Sequence, residues 1–144
     1  MAQIKIYGLA EHLEPLKSRL SDVIHSCVVD ALEIPADKRF HRFFPMPSSD
    51  CFFPADRTFR YTIIEISLFA GRSVERKKRL IRLLFERINR ECAISPQDLE
   101  ITIIESPASN WGIRGLPGDE LSLAYRVEDE GQRLCSESER GGTT

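Results

Sequence analysis

Tyr61-Thr62-Ile63-Ile64-Glu65-Ile66-Ser67-Leu68-Phe69-Ala70-Gly71-Arg72-Ser73 is the stretch that decides the fold. Its first nine residues are dense in β-branched and aromatic side chains and read as a strand, central in its sheet because so few polar groups remain to face water. Ala70-Gly71-Arg72 turns the chain, and Ser73, with Glu75 two residues on, has the chemistry of a helix start. Leu80, Ile81, Leu83, Leu84, Phe85 and Ile88 then carry a wide apolar face as far as Cys92. Ser95-Pro96-Gln97-Asp98 breaks that helix, and Leu99 to Glu105 reads as a further strand. The unit is β-α-β.

The same unit stands earlier in the chain. Gln3-Ile4-Lys5-Ile6-Tyr7 alternates at period 2 and is closed by Gly8. Leu13, Leu16, Leu20, Val23, Ile24, Cys27, Val28, Ala31 and Leu32 trace one helical stripe, with Pro15 expected in its first turn, where a missing N–H costs nothing. Ile34-Pro35-Ala36-Asp37 stops that helix, and Phe40 to Met46 reads as a short strand. A shift of 60 lays Ile4 on Ile64, Ile6 on Ile66, Leu20 on Leu80, Ile24 on Leu84 and Ile34 on Ile94. One inserted residue then brings Asp37 onto Asp98. The expected fold class is α+β, an internally duplicated β-α-β domain. The order also fits a ferredoxin-like domain, and element order alone does not separate the two.

Residues 1–127 are expected to form the single domain: repeat one at 3–46, an aromatic insert at 40–60 and repeat two at 61–105. The insert holds Phe40, Phe43, Phe44, Phe52, Phe53 and Phe59, six of the eight phenylalanines, interrupted by Pro45, Pro47 and Pro54. So many rings must be covered, under the loop, at a subunit contact or by a ligand. Leu121 to Val127 reads as an edge strand, and the Glu-, Ser-, Arg- and Gly-rich residues 128–144 as a loose tail.

Charge and motifs exclude several functions. Twenty Lys and Arg stand against 22 Asp and Glu, a net −2 that gives no overall attraction to nucleic acid or anionic lipid. The one basic segment, Arg72 to Arg90, reads as a solvated helix face. No apolar run approaches the roughly 18 residues of a membrane helix, and no signal peptide opens the chain, so the protein is expected to be soluble and cytoplasmic. Cys27, Cys51, Cys92 and Cys135 form no C-x-x-C pair, and His12, His25 and His41 do not join them at metal spacing. Reduced thiols, no metal and no cofactor are expected. Nucleophile elbow, phosphate loop and H-E-x-x-H patterns are lacking, and Asp37, Asp50, Asp56 and Glu65 are not paired by spacing. Arg72, at the junction of a strand and a helix N-terminus, is the candidate anion ligand, expected as a solvated turn residue beside free N–H groups.

Ile34-Pro35-Ala36-Asp37-Lys38-Arg39-Phe40, Ile63-Ile64-Glu65-Ile66, Gly71-Arg72-Ser73-Val74-Glu75-Arg76-Lys77-Lys78 and Asn110-Trp111 resemble, in order and spacing, the tautomerase superfamily. That group includes oxalocrotonate tautomerase, macrophage migration inhibitory factor and malonate semialdehyde decarboxylase. The resemblance spans roughly residues 3–112. It implies a four-stranded mixed sheet with two helices on one face, assembled as a homotrimer. It also implies a site at the start of the first strand, where the family's amino-terminal proline acts as base or acid on a small carboxylate-bearing molecule. Position 2 here is alanine, so the primary amine of Ala2 stands where the proline is expected. By the same resemblance Arg72 binds substrate, Asp37 holds the position that activates water in the decarboxylase branch, and Trp111 lines or closes the pocket; Arg76 is a further substrate-binding candidate. Two readings follow. One is a homologue with weak or altered keto–enol isomerase or decarboxylase activity; the other is a non-catalytic homotrimer that binds a ligand or partner.

Overall fold

The structure, a computed structural model, describes residues 1–122. Most of the expected edge strand at 121–127, the tail at 128–144 and Cys135 lie outside the described residues; Leu121 and Ser122 carry no strand.

The elements run β1 (Ala2–Leu9), α1 (Ala10–Leu13), α2 (Lys17–Leu32), β2 (His41–Met46), β3 (Thr62–Phe69), α3 (Val74–Cys92), β4 (Leu99–Ser106), β5 (Gly112–Ile113) and β6 (Leu116–Pro117). The four long strands form one mixed sheet in the order β2-β1-β3-β4. β1 pairs antiparallel with β3 at the centre, and each takes its own repeat's second strand as a parallel outer neighbour. Pro45 is admissible in β2 because that strand is an edge, where one row of N–H groups has no sheet partner to find.

Alternation makes the core. Ala2, Ile4 and Ile6 of β1 and Ile64, Ile66 and Leu68 of β3 point to one face and are buried, with Ile4 opposite Ile66 and Ile6 opposite Ile64. Leu20, Ile24, Cys27 and Val28 of α2 and Leu80, Leu84 and Ile88 of α3 close over that face in one cluster. Burying a side chain of this size contributes about 1.5–3 kcal/mol.

The duplication holds down to the backbone. β1 and β3 have bounds 60 residues apart, and both long helices end on a left-handed residue, Glu33 at φ 55° and Ala93 at φ 54°. Each of these caps donates its N–H back to its own helix, to Val29 O and Asn89 O. The expected inserted residue is absent from the paired strands. Ile4 pairs with His41 and Ile64 with Ile101, the same register at a shift of 60, so Asp37 corresponds to Gln97 rather than to Asp98. The two acids also differ in environment: Asp37 is exposed, whereas Asp98 is buried.

Three further expectations are corrected. Helix one is broken: α1 ends at Leu13, Pro15 lies in the turn that follows, and α2 begins at Lys17. The proline ring lacks the N–H that would have carried the helix onward, so the stripe is divided between two segments. The aromatic insert is only partly covered. Phe43 packs on the core, Phe44 stacks on Tyr7 at 4.9 Å, and Phe53 tilts against Tyr61 at 5.5 Å. Phe40, Phe44 and Phe59 remain substantially exposed, and Phe52 is 91% exposed. The basic helix face is not simply solvated either, since Lys77 pairs with Glu105 on β4, and Arg87 with Asp30 on α2.

Asp98 ties the insert to repeat two. It is 4% exposed and accepts from the Thr58 backbone N–H at 2.8 Å and the Thr58 hydroxyl at 2.6 Å. Removing a charged acceptor leaves a partly buried N–H without its partner. Asp98→Ala should lower unfolding free energy by about 2–3 kcal/mol, and Asp98→Asn by less. Urea titration checks this through a lower midpoint at unchanged slope.

Candidate functional site

The site is built where the two central strands put the start of β1 beside the end of β3. The Phe69 N–H donates to Met1 O across that junction. Beyond Phe69 the chain must turn at once into α3, and Gly71 does so at φ 135°, a conformation side chains resist. Ser73 then caps α3, its hydroxyl accepting from the Arg76 N–H at 3.2 Å. The turn delivers Arg72 inward. It is 1% exposed, among the largest fully buried side chains, and its Nη1 donates to Phe69 O at 3.4 Å. Arg72 is therefore not the solvated turn residue expected from its sequence context. Gly71 lets the chain fold it under the strand end, and its loss would disturb packing as well as charge.

The α-amine of Met1 shares this corner. Burial first, and the Arg72 guanidinium second, lower its pKa from 8.0 to about 5. Both causes oppose placing a proton there: one removes water, the other adds a like charge. At neutral pH the amine is a free base, an unusual state for a primary α-amine.

Around it opens a cavity of about 440 Å³. Met1 and Ala2 contribute from the start of β1, and Ile34, Lys38 and Phe40 from the connection between α2 and β2. Ile113 and Arg114 contribute from the two-residue β5–β6 hairpin. Arg114 and Gly115 form the hairpin tip at φ 51° and 84°, the paired positive angles that such short turns require. The walls are thus apolar and the charged groups cationic, a combination suited to a small anion with an apolar body.

The residues singled out from sequence are distributed unevenly. Ala2 lines the cavity, and Arg72 lies behind the amine and perturbs it. Asp37 is exposed next to the lining residue Lys38. Arg76 stands on the first turn of α3, 3.5 Å from Glu33. Trp111 packs edge-on against Phe69 at 4.9 Å, and its carbonyl accepts from the Gly118 N–H at 2.7 Å, so it anchors the base of the hairpin whose tip reaches the cavity. Lys38 and Arg114 were missed by sequence reasoning. Ile113-Arg114-Gly115-Leu116 carries a hairpin signal, an X-Gly pair between apolar residues, but nothing local says where the tip points. Among the described residues no group of His, Cys, Asp and Glu could hold a metal ion, and Cys27, Cys51 and Cys92 are free thiols. No helix of the described residues is long and apolar enough to cross a membrane.

The lowered amine has a direct reporter. Acylation by limiting acetic anhydride should label the α-amine with a midpoint near pH 5, read by peptide mass against the lysines, instead of near pH 8. Unfolding in urea should return the midpoint toward 8. Because the folded state resists the proton between these values, this group makes stability fall as pH drops from about 8 to about 5, and adds no further change below that range.

Comparison with known proteins agrees with this geometry. Residues 38–114 match the family described as tautomerase enzyme. The probable tautomerase YrdN of Bacillus subtilis (strain 168) is 30% identical over 98 residues, 65% of this chain and 75% of its own length. The probable tautomerase YusQ of the same organism is 24% identical over 116 residues, covering 77% and 91%. Among solved structures, a fused 4-OT trimer superposes with a TM-score of 0.74 at 24% identity, covering 84% of this chain and 99% of that one. Malonate semialdehyde decarboxylase gives 0.71 at 21% identity over 80% and 93%. A matched family spanning more than half the chain, a relative sharing most of its length and a common fold lead to one assignment: this chain belongs to the tautomerase family.

Proposed function

We propose that this protein transfers protons at the carbon next to a carbonyl in a small carboxylate-bearing substrate, as a tautomerase homologue with weak or altered keto–enol isomerase or decarboxylase-type activity. One observation carries the reading: an α-amine held unprotonated at neutral pH in an apolar cavity rimmed by cations. The free amine accepts the proton from the substrate carbon, the electron pair moves onto the carbonyl oxygen, and nearby positive charge stabilises the resulting enolate. The ammonium then returns the proton at the other end of the conjugated system. Arg72, Arg76, Asp37 and Trp111 are the family positions proposed to assist, with Arg72 acting on the amine.

The alanine at position 2 supports a second reading, a non-catalytic homotrimer that keeps the cavity for binding a ligand or partner. A primary amine replaces the secondary amine of the family, and cleavage after Met1 would move it one residue, roughly 3.3 Å, along β1. Intact mass decides whether Met1, whose amine is the lowered one, or Ala2 bears it. Wild-type phenylpyruvate ketonisation should be weak. Ala2→Pro, with Met1 removed, should raise its rate on the order of 10²-fold, within the range ascribed to a positioned acid or base. No gain in that variant would support the binding reading.

Self-association is proposed for either case, with a cytoplasmic location. The solved fused 4-OT neighbours include trimers. β2 and β4 leave both sheet edges open, and Phe44, Phe52 and Ile104 stand exposed. Multi-angle light scattering at micromolar concentration should return three times the chain mass; a monomer would overturn the trimer.

A further inference from the structure

We infer that Lys38 and Arg114 grip the substrate carboxylate directly, with Arg72 buried behind the cavity and outside that contact; this rests on the proposed function and assigns recognition within the same cavity. Three observations carry the division of labour.

Arg72 is buried at the turn before α3 and is not among the residues lining the cavity. Its influence on the amine is electrostatic, through proximity. Lys38 and Arg114 do line it, and they come from two separate loops. Neither side chain makes a hydrogen bond or ion pair with any described residue, whereas Arg39, next to Lys38, is held by Asp22 at 2.6 Å. Two cations without partners, bordering a cavity with Ile34, Phe40 and Ile113 in its walls, define the ligand: one carboxylate on a compact apolar or aryl body.

The backbone at Arg114 points the same way. The hairpin needs a positive φ at its first tip position, and glycine or asparagine meets that need most easily. An arginine held at φ 51° retains a conformation it disfavours, and the one cavity-facing asset it supplies is charge.

The test is calorimetric titration of the full chain with 3-phenylpropanoate and with its uncharged isostere, 3-phenylpropanamide. Neither has the keto group that turnover would need. Wild type should bind the carboxylate at least tenfold more tightly than the amide. Lys38→Gln and Arg114→Gln should each weaken the carboxylate roughly 5- to 20-fold and leave the amide unchanged. Arg114→Lys should recover part of the loss, since an ammonium keeps the charge without the fork. Arg114→Gly should lose carboxylate affinity while melting no lower than wild type, because glycine relieves the tip. Equal affinities for acid and amide in wild type, unchanged carboxylate binding in both Gln variants, or equal weakening of acid and amide would each overturn the assignment. Failure of ketonisation alone, with these binding differences intact, would instead count against the catalytic reading.

Discussion

Everything at the site depends on the antiparallel pairing of β1 with β3. Its register sets Ile4 against Ile66 and Ile6 against Ile64, and so fixes which ends of the two strands coincide. Ala2 meets Leu68, Met1 O takes the Phe69 N–H, and the turn after Phe69 therefore starts beside the α-amine. A slip of one residue would expose the isoleucines of one strand and separate the amine from Arg72. The apolar core thus selects the register, and the register assembles the chemistry.

The pairing also explains why burial dominates the amine's basicity. A backbone nitrogen at the start of a central strand is covered by neighbouring strand ends and by the turn that carries Arg72. It loses water before any charge acts on it, and the guanidinium adds to an effect already in place. An edge strand would have left the same nitrogen in solvent. Position within the sheet, more than any acid–base partner, makes this amine a base at neutral pH.

Much of the fold was legible in the sequence because periodicity reports directly on burial. The strands around Ile64 and Ile4, the helix from Ser73 and the 60-residue repeat all follow from side chains alternating at 2 or 3.6. What was not legible depends on three-dimensional direction. Arg72 in a Gly-Arg-Ser turn gives no local sign that the chain will fold it inward, since that follows from Gly71 at φ 135° and from the strand packed beneath. Arg114 has the turn chemistry of a hairpin, but the hairpin's aim is set by Trp111 against Phe69, a contact between residues 42 positions apart. Pro15 was read against one continuous stripe, and the stripe persisted although the helix did not.

The internal symmetry sharpens the reason one end of the sheet is chemical and the other structural. A shift of 60 carries Met1 to Tyr61 and Arg72 back to His12, so the second repeat owns an equivalent corner. There the chain runs on through Arg60, and no α-amine exists. Tyr61 donates to Glu100 at 2.8 Å and has its pKa pushed up to about 12 by burial and that carboxylate, so it stays protonated. His12, at the arginine's position, is held below its usual pKa by burial and by Arg60 and brings no cation at neutral pH. Arg57 is committed to Asp56 and Glu100, and Arg60 to Ala93 O. The same backbone therefore holds a protonated phenol, a neutral imidazole and two committed arginines at one corner, and at the other an unprotonated amine with two cations that pair with no described residue. Duplication supplied two equivalent frames, and they differ in which one retains groups that no other described residue neutralises.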